Sequence, residues 1–91
     1  MKCALIGERL GHSYSKLIHE AFGLYSYELV SLPKDKVDEF MENEEFDAFN
    51  VTIPYKRTVM PYCSYISPEA QKIGSVNTVV RTPDGLHGFN T

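Results

Sequence analysis

The chain has 91 residues, 43% hydrophobic and 23% charged, with a net charge of −3. This composition suits one small soluble globular domain and excludes a chain disordered throughout. The acidic balance argues against a nucleic-acid partner, which selects for a basic stripe or patch, and no apolar run approaches the ~20 residues of a membrane span or the pattern of a signal peptide.

Cys3 to Ile6 is short, apolar and closed by Gly7, and so predicts a buried first strand. The loop over 7–12 holds Gly7 and Gly11. It satisfies neither G-x-G-x-x-G nor the Walker pattern, so no nucleotide site is expected there. Leu17/Ala21 and Ile18/Phe22 recur four apart and predict a helix over 15–22, stopped by Gly23. Tyr25 to Leu32 alternates and predicts a second strand. Pro33 can open a helix whose apolar stripe is Val37, Phe40 and Met41, while Asp38, Glu39, Glu42, Glu44 and Glu45 face water. Phe46 to Val51 is the third predicted strand, and the order β-α-β-α-β implies right-handed crossovers and parallel pairing.

After Pro54 a short helix is expected through about Val59, with Pro61 ending it. Ser67-Pro68-Glu69 combines a capping hydroxyl, a first-turn proline and an acid at the positive dipole end, and Gly74 supplies the stop. Val76 to Arg81 predicts a strand, Asp84-Gly85 a hairpin turn and Leu86 to Asn90 the returning strand. The expected class is α/β: a mainly parallel sheet with helices on both faces, three layers deep (αβα), carrying a C-terminal β-hairpin. The chain reaches Thr91 straight after strand-like residues, which reads as a cut in a longer protein.

Asn50-Val51-Thr52-Ile53-Pro54-Tyr55-Lys56 concentrates the chemistry. Ligands of α/β proteins bind at the C-terminal ends of parallel strands. Asn50 and Thr52, two apart on a strand, point to one face. Their plainer reading is strand-end and turn residues. Lys56 alone reads as a solvated lysine; beside a carbonyl it can donate a proton or a hydrogen bond as charge develops on oxygen. Ser13 and Ser15 read first as an N-cap, and compatibly as two hydroxyls that can hold a carboxylate beside a helix start. Asn77 is either a turn residue or an amide that reads ligand hydroxyls. Cys3 and Cys63 form no CxxC, and His12, His19 and His87 lack metal-ligand spacing, so no metal is expected and a reducing cytoplasm fits.

Gly11-His12-Ser13-Tyr14-Ser15, Asn50-Val51-Thr52-Ile53-Pro54-Tyr55-Lys56, Gly74-Ser75-Val76-Asn77-Thr78 and Gly88-Phe89-Asn90-Thr91, in this order and spacing, resemble the N-terminal substrate-binding domain of shikimate dehydrogenases along nearly the whole chain. The resemblance implies NADP-dependent, reversible reduction of 3-dehydroshikimate to shikimate in aromatic amino-acid biosynthesis. It matches Ser13 and Ser15 to carboxylate-binding serines, Asn50, Thr52 and Asn77 to residues holding ring hydroxyls, and Lys56 to a catalytic lysine paired with an aspartate. In that family the aspartate follows G-x-N-T at once, and NADP is held by a covalently linked Rossmann domain; neither lies within residues 1–91. The whole chain is thus expected to be one truncated substrate-binding domain, inactive by itself. A homodimer is compatible with the resemblance. The alternatives are a quinate/shikimate dehydrogenase of dual specificity and a non-catalytic small-acid binding module.

Overall fold

The computed structural model describes residues 2–10 and 26–91. The helix expected over 15–22 lies outside them, as do Ser13 and Ser15. Six strands form one sheet: β1 (Lys2–Gly7), β2 (Ser26–Ser31), β3 (Ala48–Val51), β4 (Cys63–Ile66), β5 (Thr78–Thr82) and β6 (Gly85–Phe89). Their spatial order is β2-β1-β3-β5-β6-β4. β1 pairs in parallel with β2 and β3, and β4 pairs in parallel with β6, whereas β5 is antiparallel to both of its neighbours, β3 and β6. β5 alone therefore runs against the other five strands. The α/β class expected from the sequence holds, with a mixed sheet.

The core lies on one face of this sheet. Ala4 and Ile6 of β1 sit beside Phe49 and Val51 of β3, and Phe49 in turn sits beside Val79 of β5. Alternation along each strand aims all five to the same side, and all are buried. Helix α1 (Val37–Glu42), entered through a 3-10 turn at Lys34–Lys36, adds Val37 and Met41 to this cluster. Phe40 stacks on Phe46 at 5.7 Å and meets Phe49 edge-on at 5.2 Å; such pairs contribute about 0.5–1.5 kcal/mol beyond their buried area.

Helix α2 (Pro68–Ile73) starts and stops where its sequence dictates. The Ser67 hydroxyl accepts from the Ala70 N–H at 3.2 Å, and Gly74 ends the helix at φ 79°. Ala70 points into the core. The hairpin between β5 and β6 turns at Gly85, whose φ of 115° favours glycine.

Two local expectations are corrected. No helix follows Pro54: Tyr55 N–H bonds to Thr52 O, Met60 N–H to Arg57 O and Tyr62 N–H to Val59 O, each at 3.0–3.1 Å, in a run of turns ending in a 3-10 helix at Met60–Tyr62. One helical bond does form, Val59 N–H to Tyr55 O at 3.1 Å, but Pro61 has no N–H to carry the ladder onward. Tyr55 and Val59 nevertheless both reach the core, and the Tyr55 hydroxyl donates to Leu32 O at 2.5 Å. The second correction is β4, a four-residue strand unmarked in the sequence because so short a run shows no clear alternation.

Candidate functional site

The opposite face of the sheet carries Leu5, Tyr27, Asn50 and Thr78, as the strand registers require. The C-terminal ends of β1, β3 and β6 share one edge. Because β5 is reversed, its first residue, Thr78, and the preceding Asn77 arrive at that same edge. Thr52 follows β3 there, and Asn90 and Thr91 follow β6. These residues border a cleft of about 270 Å³ lined by Leu5, Tyr27, Asn50, Val51, Thr52, Lys56, Asn77, Thr78 and Thr91. Asn50, Thr52, Lys56 and Asn77, each selected from the sequence, thus meet in one place. Tyr27, Thr78 and Thr91 were not selected. Alternation on the second strand was the available signal for Tyr27, and Thr78 and Thr91 each end a recognised motif.

Side-chain hydrogen bonds order the wall of the cleft. The Tyr27 hydroxyl donates to Asn50 Oδ1 at 2.8 Å, and Asn50 Nδ2 donates to Thr78 Oγ1 at 3.2 Å. Thr78 Oγ1 donates to Asn77 Oδ1 at 2.9 Å, an oxygen that also accepts the backbone N–H of Thr91 at 3.1 Å. Asn77 Nδ2 donates to Thr91 O at 3.0 Å, and Asn90 Nδ2 ties the same corner to Ser75 Oγ at 3.0 Å. Two strand ends and the loop before β5 are therefore bound together by their own polar side chains.

Thr52 extends the β3 pairing by one step, its N–H donating to Ile6 O at 2.9 Å. Its methyl group packs against Gly7. Beyond Thr52 a second cleft of about 310 Å³ is lined by Glu8, Arg9, Ile53 and Pro54, so Thr52 is a shared wall; the Ile53–Pro54 bond is cis. Lys56 is held through its carbonyl, which accepts the Val76 N–H at 2.8 Å. Among the described residues its ammonium group makes no ion pair.

The chemistry offered is that of hydroxyl recognition beside a cation. Two carboxamides, three threonines and the Tyr27 hydroxyl supply donors and acceptors, and a lysine shares the lining. Both cysteines lie away from this cleft's lining, and burial pushes each thiol up from its ordinary range, which disfavours thiolate chemistry. Among the described residues no cluster of three His, Cys, Asp or Glu side chains is placed to hold a metal. A β-carbon on Gly7 would meet Thr52 Cγ2 at 2.6 Å and Leu10 Cδ2 at 2.9 Å, so the end of β1 is packed closely against the residue that follows β3.

Comparison with known proteins agrees with this geometry. A family model described as the shikimate dehydrogenase substrate binding domain matches residues 5–79. The shikimate dehydrogenase (NADP(+)) of Clostridium beijerinckii is 40% identical over 95 residues, covering 96% of this chain and 35% of the relative. Among solved structures, shikimate dehydrogenase 1 from Peptoclostridium difficile superposes with a TM-score of 0.86 at 34% identity, over 100% of this chain and 37% of that one. The shikimate 5-dehydrogenase of Thermus thermophilus, solved in complex with NADP(H) and shikimate, does so with a TM-score of 0.83 at 35% identity, over 99% and 37%. The chain spans about a third of the length of the curated relatives it matches. With residues 5–79 matched by the family model, this chain belongs to the family of shikimate dehydrogenase substrate binding domains.

Proposed function

We propose that the chain is the substrate-binding domain of an enzyme that reversibly reduces 3-dehydroshikimate to shikimate with NADPH. The observation that carries this reading is the convergence of Asn50, Thr52, Lys56 and Asn77 on one cleft at the sheet edge. In this reading Asn50, Thr52 and Asn77 bind the ring hydroxyls. Ser13 and Ser15, outside the described residues, hold the carboxylate. Lys56 holds the proton at the reacting oxygen: its ammonium stabilises negative charge there during reduction and its amine form takes up the hydroxyl proton during oxidation. The aspartate that pairs with it is expected directly after the G-x-N-T of Gly88 to Thr91.

NADP supplies or accepts the hydride and is assigned to the remaining two thirds of such an enzyme, since this chain matches the substrate binding domain and covers 35% of the relative's length. The alternative of a non-catalytic binding module leaves Lys56 without a role beside the hydroxyl-reading groups. The net charge of −3 weighs against a nucleic-acid partner, and among the described residues no helix is long and apolar enough to cross a membrane; a cytoplasmic setting belongs to the same proposal and rests on cysteines that form no CxxC or metal pattern.

The deciding experiment is turnover by the full-length protein, followed as NADPH formation with shikimate and, separately, with quinate. Shikimate-dependent reduction of NADP supports the reading. Binding of shikimate without turnover favours the module, and comparable turnover of both acids favours dual specificity.

A further inference from the structure

The hydrogen bonds across the cleft wall have a direction. A backbone N–H can only donate, so the Thr91 N–H fixes Asn77 Oδ1 as an acceptor, at 3.1 Å. That oxygen takes the single Thr78 hydroxyl proton at 2.9 Å, which leaves Thr78 Oγ1 to accept from Asn50 Nδ2 at 3.2 Å. The amide of Asn50 must then turn its Oδ1 toward Tyr27, whose hydroxyl donates to it at 2.8 Å. Each link has one polarity, and both amides are locked in one of their two orientations.

Tyr27 reaches this position from two strands away. It lies on β2 opposite Cys3, and Asn50 lies on β3 opposite Leu5, with β1 between them. Two strand spacings combined with the two-residue offset along β1 amount to about 11–12 Å. A serine or threonine at position 27 would stop short of that span, and a phenylalanine would cover it without a donor.

We propose that Tyr27 and Thr78 are positioning residues for hydroxyl recognition: they set the orientation of the Asn50 amide and so decide which atom the substrate hydroxyl meets. This rests on the shikimate reading above, and concerns residues to which that reading gives no role. With Oδ1 held toward β2 by one hydrogen bond, its second lone pair accepts a proton from a ligand hydroxyl. Nδ2 donates to Thr78 Oγ1 at 3.2 Å and reaches Asn77 O at 3.5 Å, so the amide presents Oδ1 to the ligand. Without Tyr27 or Thr78 only the long contact to Asn77 O opposes rotation of the amide, and the two atoms can exchange places.

The test is a double-mutant cycle on the full-length protein, read as KM and kcat for shikimate. Tyr27→Phe, which keeps the ring, raises KM by about five- to tenfold, the scale of one hydrogen bond, with kcat changed less than about twofold. In an Asn50→Ala background the same substitution has no further effect, because Tyr27 acts through Asn50. Thr78→Val reproduces the rise in KM and Thr78→Ser restores it, which keeps the proposal testable where Tyr27→Phe fails to fold. An unchanged KM in Tyr27→Phe, or an equal effect with and without Asn50, overturns the proposal. If Asn50→Ala raises KM and Tyr27→Phe does not, the shikimate site stands and only this inference falls. If Asn50→Ala leaves KM unchanged, the site itself is wrong and this inference falls with it.

Discussion

The methyl group of Thr52 occupies the place of a side chain on Gly7: a β-carbon there would stand 2.6 Å from Thr52 Cγ2 and 3.3 Å from Ile53 O. The end of β1 and the residue following β3 are thereby packed as one surface. Thr52 takes its position in the cleft from the lack of a side chain on the neighbouring strand.

Gly7→Ala is therefore expected to push Thr52 and Leu10 aside. Overpacking of this kind costs about 1–3 kcal/mol. Thr52 lines the cleft, so shikimate affinity of the full-length protein falls with stability. Urea unfolding and ligand titration read the two effects, and unchanged values in both would refute the packing account.

In the proposed reading Lys56, which lines the cleft, acts on the reacting oxygen. Lys56→Ala should lower turnover of shikimate by about 10²–10⁴-fold, the usual scale of general acid–base catalysis, with binding changed far less. Steady-state kinetics beside equilibrium titration separates the two. Unchanged turnover removes Lys56 from the mechanism.

Ser67 lies outside the cleft and caps α2. Ser67→Ala is expected to cost about 0.5–2 kcal/mol in stability and to leave KM for shikimate unaltered. Chemical denaturation and kinetics on the same sample check both halves.

Tyr55 gives a prediction for alkaline pH. Burial first, and then the charges of Glu8 and Asp35, push its phenol above the ordinary 10.0. A group whose folded pKa is raised contributes stability that is fully present below its unfolded pKa and is lost as pH rises through the folded one. Stability should therefore fall above about pH 10 as the unfolded phenol ionises first. Tyr55→Phe removes that part of the alkaline decline. It also strands Leu32 O without its buried donor, lowering stability at neutral pH by about 1–3 kcal/mol. Unfolding free energies of both proteins across pH 7–11 carry the test.

What could be read in the sequence was local. Ser67, Pro68 and Gly74 specify α2 through hydrogen bonds and dihedrals that span few residues. The turn at Asp84-Gly85 follows from the conformational freedom of one glycine, and β1 from an unbroken apolar run. The turns after Pro54 and strand β4 were not legible, since helix nucleation between two prolines and strand pairing of four residues depend on the contacts available elsewhere. Ser13 and Ser15 remain sequence expectations outside the described residues.

The chain by itself determined which chemistry is present: the amides of Asn50 and Asn77, the hydroxyl of Thr52 and the amine of Lys56, each embedded in a motif of fixed spacing. Tertiary structure decided that they form one site. Asn77 stands before its strand, where a parallel strand would carry it to the far edge of the sheet. The reversal of β5 brings it instead to the edge that carries Thr52, where both line the cleft, while Tyr27 joins them through Asn50 from two strands away. Strand direction is set by pairing between residues distant in sequence, and such pairing leaves no mark on the short-range pattern of the residues it brings together.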